Sequence, residues 1–313
     1  MIKSLNISRL AGLQGRAALN AKLREFFLER NVLEVETPLM GATAATDLNL
    51  EPIRVQQALA TDQAPRYLQS SPEFSMKKLL AMGSGSIYQL GKAFRFDEYG
   101  KLHRPEFTLL EWYRIGYDES LLMDEVEELV AATADISKLE RISYRELFRQ
   151  ILDLDPHSCT LERLRVVATN NVDFCAADYG RDDLLYLLMS HCIEPAMPPN
   201  CFIYDYPASQ ASLAEIEEDK NGIPVARRFE LYLGSMEIAN GYRELRDSRQ
   251  LRQRLNADLA ARKSLNRLPL PIDEELISAH EKGLPRCAGV ALGVDRLLMV
   301  IMGATSIDDV MCE

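Results

Sequence analysis

Apolar residues recur at helical spacing from about Gly12 to Glu29. Leu19, Leu23, Phe26 and Phe27 fall at i, i+4, i+7 and i+8 with charged residues between them, which predicts a helix with one buried stripe. The period then shortens. "NVLEVETP" (31–38) alternates as a short strand and stops at Pro38. "RYLQSSPEFSMKKLLAMG" (66–83) reads as a strand ending near Gln69, then a helix capped by Ser70 or Ser71 with Pro72 in its first turn. "SIYQLGKAFRFDE" (86–98) and "PEFTLLEWYRIGY" (105–117) are strand-like runs joined across a "YGK" turn, a hairpin with an elongated tip.

Residues 119–200 read mostly as helices: "ESLLMDEVEELVAATADI", "SYRELFRQIL" and "RDDLLYLLMSHC". "FIYDYPA" (202–208) and "RRFELYLGSMEIANGYREL" (227–245) return to strand, and 247–265 is a polar helix with Asp247 as its N-cap. After a Pro-punctuated stretch, "RCAGVALGVDRLLMVIMG" (286–303) runs from strand into apolar helix. No repeat, low-complexity tract or linker interrupts this order. The pattern predicts one continuous α+β domain over 1–313, a mostly antiparallel sheet flanked by helices.

Composition narrows the function classes. Lys plus Arg number 36 against 47 Asp plus Glu, a net charge of −11, which argues against a broad nucleic-acid footprint but allows a local basic pocket. The six cysteines form no C-x-x-C pair, and with four histidines a structural zinc site is not expected. Without a signal-peptide pattern or an 18-residue apolar run, the expectation is a cytoplasmic protein with no membrane partner.

One stretch carries unusual chemistry. "FRFDEYGKLHRPEF" (94–107) sets Arg95, Lys101, His103 and Arg104 on one hairpin. Arginine forks match phosphate oxygens, Asp97 or Glu98 can accept from an exocyclic amine, and Phe107 offers a stacking face. A solvated tip with surface ion pairs is the plain alternative. The C-terminal strand-to-helix turn adds small residues Gly289, Ala291 and Gly293, and Arg296 in the first turn of a helix, where anions are favoured.

These segments together carry a resemblance. "VLEVETP", "FRFDEYGKLHRPEF" and "GVALGVDR" resemble motifs 1, 2 and 3 of the class II aminoacyl-tRNA synthetases, in order and spacing. "SPEFSMKKL", "PEFTLLEWY" and "MEIANGYREL" are similar to the lysyl-tRNA synthetase core. About ten residues precede the motif 1 helix, so no anticodon-binding domain is expected. That layout, with "YPASQASLAEI" (206–216), is similar to the truncated paralogues that act as elongation factor P–(R)-β-lysine ligases.

The resemblance implies a two-step reaction. ATP and Mg2+ activate (R)-β-lysine as an adenylate, and a lysine ε-amine of elongation factor P takes the acyl group. It assigns Arg95 to the α-phosphate and attacking carboxylate, Arg296 to the γ-phosphate, Phe107 to adenine stacking and Asp97 to the adenine edge. Phe96, His103, Arg104, Glu237, Ile238 and Gly293 complete the implied ATP site. Glu230 and Glu237 match the magnesium positions; seven residues apart on one flat strand they would face opposite ways, so Gly234 predicts a turn or bulge. Glu111 and Glu244 match the positions that bind the side-chain ammonium, with Tyr113 and Asn240 as neutral partners, while Ser71, Pro72 and Glu73 receive the other end. Arg243 or Arg246 is an alternative partner for a buried Glu111.

The chain departs from the lysyl-tRNA synthetase pattern at three points. Arg-x-Asp stands in motif 2 where Arg-x-Glu is usual, Arg104 replaces an asparagine, and Ala291 replaces a glycine, as in the β-lysine ligases. The resemblance further implies a homodimer and no tRNA partner. Two other functions stay open from sequence: a minimal lysyl-tRNA-synthetase-like enzyme with another acceptor, and a catalytically silent regulatory paralogue that binds an amino acid.

Overall fold

A computed structural model describes residues 9–48, 50–56, 64–96, 98–136, 138–173, 179–234 and 236–311. They group into two compact units, Met1–Ser137 with Glu244–Glu313, and Lys138–Arg243.

The first unit opens with α1 (Arg9–Glu29), whose stripe of Leu19, Leu23, Phe26 and Phe27 is buried as its period requires. β1 (Leu33–Glu34) is shorter than the alternation predicts. β2 (Met40–Gly41), β3 (Arg54–Val55) and β4 (Arg66–Leu68) form a small sheet in the order β2-β4-β3. α2 (Glu73–Ala81) corrects one expectation: its N-cap position is Pro72, not Ser70 or Ser71. The Ser71 hydroxyl still accepts from the Glu73 N–H at 3.0 Å, one residue outside the cap. β5 (Ile87–Phe94) and β6 (Glu106–Ile115) make the antiparallel hairpin, with Phe94 opposite Glu106 and Ile87 opposite Tyr113. Phe27 stacks on Tyr88 at 4.4 Å and meets the edge of Trp112 at 5.3 Å, which ties α1 to that hairpin. α3 (Glu119–Ala134) is capped by Asp118.

The second unit contains β7 (Glu140–Ser143), α4 (Tyr144–Leu152), α5 (Leu161–Asn171), α6 (Arg181–Leu188), β8 (Asn200–Pro207), β9 (Ile216–Glu218), β10 (Pro224–Leu233) and β11 (Met236–Arg243). Its strands run β7-β8-β10-β11, with β9 also on β10, and only β7–β8 is parallel. Phe148, Leu184, Leu188 and Ile193 pack with Ile203, Tyr206 and Tyr232 in its core. α5 is not evident in the sequence because Val166, Val167 and Thr169 are poor helix formers; burial of Leu164, Val167 and Ala168 decides it.

The first unit closes with α7 (Ser248–Ser264), α8 (Glu274–Gly283), β12 (Cys287–Gly293) and α9 (Val294–Met302). The Asp247 carboxylate caps α7, accepting from the N–H groups of Arg249 and Gln250 at 2.8 and 3.0 Å. The sheet order in this unit is β1-β5-β6-β12, with β1–β5 parallel and the rest antiparallel. The expected α+β class with mostly antiparallel strands holds. No helix among the described residues is long and apolar enough to cross a membrane.

Candidate active site

Strand register decides what faces the site in the first unit. Gly289 lies opposite Tyr113, Ala291 opposite Glu111 and Gly293 opposite Leu109. Opposed residues share a face, so small side chains on β12 leave space beside Tyr113 and Glu111 on β6. A Cβ added to Gly289 would sit 2.3 Å from Tyr113 Cε1 and 2.6 Å from Glu244 Oε1. Gly289→Ala must therefore displace both. We expect it to cost about 1–3 kcal/mol, read from urea unfolding.

Glu111 is only 2 % exposed. The Ser71 hydroxyl donates to its Oε2 and the Tyr113 hydroxyl to its Oε1, both at 2.7 Å. Burial first, then the Glu73 charge, pushes its carboxyl up to about 8, against the pull of the two hydroxyls. The residue the sequence reading missed is Lys77. Its side chain is 1 % exposed, and its Nζ lies 2.6 Å from Glu73 Oε1 and 2.6 Å from Glu244 Oε2. Burial opposes that ammonium, but Glu244 and Glu73 outweigh it and hold its pKa above the ordinary lysine value. The i, i+4 spacing of Glu73 and Lys77 was the available signal. Arg243 is not the internal cation here: it pairs with Glu215 at 3.0 Å and Glu217 at 2.6 Å in the second unit. A cavity of about 440 Å³ opens against Ser71 and Glu73, walled by Gly41, Thr43, Tyr67 and Asp273.

The hairpin tip carries the cationic groups Arg95 and Arg104, with His103 beside them. The Arg95 N–H donates to Pro105 O at 2.9 Å, extending the ladder beyond Phe94. Its guanidinium lies 5.0 Å from the Phe107 ring and 3.4 Å from Glu98, while its Nε is buried without a hydrogen-bond partner among the described residues. An orphaned buried donor beside an aromatic face suits an anionic, ring-bearing ligand. Arg296, in the first turn of α9 after the N-cap Gly293, donates to His103 Nε2 at 2.5 Å. Burial, then the Arg296 charge, holds the His103 imidazole below its usual pKa, so a neutral ring accepts. Asp295 anchors that helix start, accepting from Arg16 at 2.5 Å and from the Thr108 N–H at 2.6 Å. Arg104 turns toward Asp308 and donates to the carbonyls of Gly100 and His103 at 2.6 and 2.8 Å. Phe96 is exposed, and Asp97 lies outside the described residues.

Glu230, Glu237, Ile238 and Asn240 belong to the second unit. The hairpin turns at Gly234 (φ 60°), and a bulge shifts the register between Leu231 and Tyr232, so that Glu237 lies opposite Tyr232 and Asn240 opposite Glu230. Glu230 is buried and fully engaged. Its Oε2 accepts from Tyr206 at 2.6 Å and Tyr232 at 2.8 Å, and its Oε1 from Arg228 at 2.5 Å and Asn240 at 3.1 Å. Among the described residues no group of three His, Cys, Asp or Glu is placed to hold a metal. These residues form no all-protein cage. They fit a nucleotide-borne Mg2+, which needs only one or two carboxylates, provided Glu230 releases a donor. Glu230→Ala would strand the Arg228 guanidinium and three other donors, and we expect it to lower unfolding stability by about 3–5 kcal/mol in urea titrations.

A family model of class II tRNA synthetases (D, K and N) matches residues 4–312, and the chain belongs to that family. Among curated proteins it is 47% identical over 308 residues to the elongation factor P–(R)-β-lysine ligase of Photorhabdus laumondii, covering 96% of this chain and 94% of the relative. The proteins of the same name from Vibrio cholerae and Proteus mirabilis are 46% and 44% identical, with the same coverage.

Proposed function

We propose that this chain is an ATP-dependent, AMP-forming ligase that activates (R)-β-lysine as an acyl-adenylate and passes it to a lysine ε-amine of elongation factor P. The observation that carries this reading is the buried acid pocket. Glu111, held only 2 % exposed by two hydroxyls and flanked by Glu73 and Glu244, asks for a cationic ligand to relieve its burial. The relatives, whose name gives (R)-β-lysine and elongation factor P, support that choice of substrate and acceptor.

In the first step the substrate carboxylate attacks the α-phosphorus; an O–P bond forms and the bond to pyrophosphate breaks. Such a step needs positioning and charge neutralisation. Arg95 and Arg296 supply both, exchanging their long contact to Glu98 and their neutral partner His103 for phosphate oxygens. Phe107 stacks on adenine beside Arg95, and Phe96, Arg104 and Gly293 border the nucleotide. Ser71, Pro72, Glu73, Glu111, Tyr113, Glu244 and Ala291 receive the amino acid. Glu237 and Glu230 would hold Mg2+, which would supply positive charge to the triphosphate. In the second step the acceptor amine attacks the acyl carbon, an amide forms, and AMP and a proton leave.

We read the two units as one catalytic domain because the family model runs through both. The protein works as a homodimer and without tRNA in the same reading. Incubation with ATP, (R)-β-lysine and elongation factor P is expected to raise the intact mass of elongation factor P by one lysyl residue. Acylation of tRNA in place of the protein would favour a synthetase instead.

A further inference from the structure

The reaction as described makes no use of Lys77, yet Lys77 occupies two of the three acids in the amine pocket. Its Nζ is 2.6 Å from both Glu73 Oε1 and Glu244 Oε2, and its side chain is 1 % exposed. Glu111, by contrast, is held by the hydroxyls of Ser71 and Tyr113. We propose that Lys77 is a positioning residue whose buried ammonium sets the charge capacity of the pocket: with Glu73 and Glu244 clamped on it, the three acids accept two further ammonium groups, the complement of a diamino acid. This rests on reading the site as an amino-acid-activating pocket.

The charge count follows from the groups that face one another. α2 supplies Glu73 and Lys77, β6 supplies Glu111 and Tyr113, and Glu244 is held by its N–H on Cys287 O at 3.1 Å. α8 supplies His280, whose pKa is lowered by burial and, further, by the Lys77 charge, so it stays neutral. Tyr113 stays protonated, its pKa raised by burial and by the Glu111 charge. Three carboxylates less one ammonium leave two negative charges to be matched. In the empty pocket the surplus is reduced by a proton on Glu111, consistent with its raised pKa. Two arriving ammonium groups let that proton go; one alone gives no reason for it to leave. Lys77 also fixes the two carboxylates in space, since neither can turn without abandoning a buried cation.

Two measurements test this. Calorimetric titration of the wild-type protein in buffers of different ionisation enthalpy at pH 7 should show release of about one proton with (R)-β-lysine. 3-Aminohexanoic acid, the same skeleton without the distal amine, should release none or fail to bind. Equal release with both ligands, or none with (R)-β-lysine despite binding, overturns the proposal. If α-lysine binds with proton release and (R)-β-lysine does not bind, the substrate reading fails while the charge capacity stands. If no diamino acid binds, both fail.

The second measurement uses Lys77→Ala in ATP–pyrophosphate exchange. The amino-acid KM should rise at least about ten-fold with the ATP KM changed less than about two-fold. n-Propylammonium, which replaces the deleted atoms, should restore much of the loss, and n-propanol should not. An unchanged KM, or equal rescue by the alcohol, would mean that the side chain only fills space. Should the variant not fold, the wild-type proton count decides alone.

Discussion

Arg95→Ala is expected to lower ATP–pyrophosphate exchange by about 10²–10³-fold, the cost of deleting one preorganised charge donor from a transition state. The effect should fall on the chemistry and leave the fold in place. The hairpin does not depend on the guanidinium: its ladder runs from Ile87–Tyr113 to Phe94–Glu106 and continues through the Arg95 N–H to Pro105 O. Among the described residues the guanidinium has only the 3.4 Å contact to Glu98 and the face of Phe107, with Nε unpartnered. Such a side chain is held for a ligand more than for stability. Exchange kinetics and urea unfolding of the same preparation check the two halves of this expectation. A large stability loss with modest kinetic change would place Arg95 in the scaffold instead.

Glu111→Gln should raise the amino-acid KM by about 10²-fold, because it replaces a charge-assisted bond to an ammonium with a neutral one. The amide keeps the shape of the carboxylate, and its oxygen can still accept from one of the two hydroxyls. The ATP KM should hardly move. The same substitution tests the pH behaviour of the empty protein. The Glu111 carboxyl titrates near 4.5 when free and at about 8 in the fold. Between those values the folded state binds more protons than the unfolded state, so stability falls as pH rises through that window. Its contribution is fully present below about pH 4.5 and is lost above about pH 8. Urea midpoints at pH 5.5 and 8.0 should therefore differ less in Glu111→Gln than in the wild type. Saturating diamino acid should also flatten the wild-type difference, since the ligand supplies the missing positive charge.

Much of the fold is legible in the chain because periodicity and punctuation are local properties. The α1 stripe, the β5–β6 hairpin and the Asp247 cap each arise within a few residues of one another. The elements that escape sequence reading are settled by distant partners. α8 hides among Pro269, Pro271 and Pro285, although Asp273 caps it through the Leu276 N–H at 2.9 Å. β7 has four residues and exists through its parallel pairing with β8.

The site divides in the same way. Arg95, Arg296, Glu111 and Glu244 stand out by residue type in motif context. Lys77 does not, since "MKKLL" presents two adjacent lysines and its i, i+4 spacing from Glu73 reads equally as a surface pair. Lys78 turns outward to Asp273 and Glu275, while Lys77 turns inward to Glu244, far away in sequence. Glu230 is a comparable case. Its own strand suggests an available carboxylate, but Tyr206 comes from β8 and Asn240 from β11 to claim its oxygens. Arg104 finds Asp308 at the far end of the chain, a partner no local pattern announces.

Adenylation of (R)-β-lysine is the step on which the proposed function turns. Pyrophosphate exchange into ATP with purified protein, comparing (R)-β-lysine, α-lysine and no amino acid, tests it most directly. Strong exchange with (R)-β-lysine and weak exchange with α-lysine is the predicted result. Exchange driven by α-lysine alone, or none with either, would contradict it.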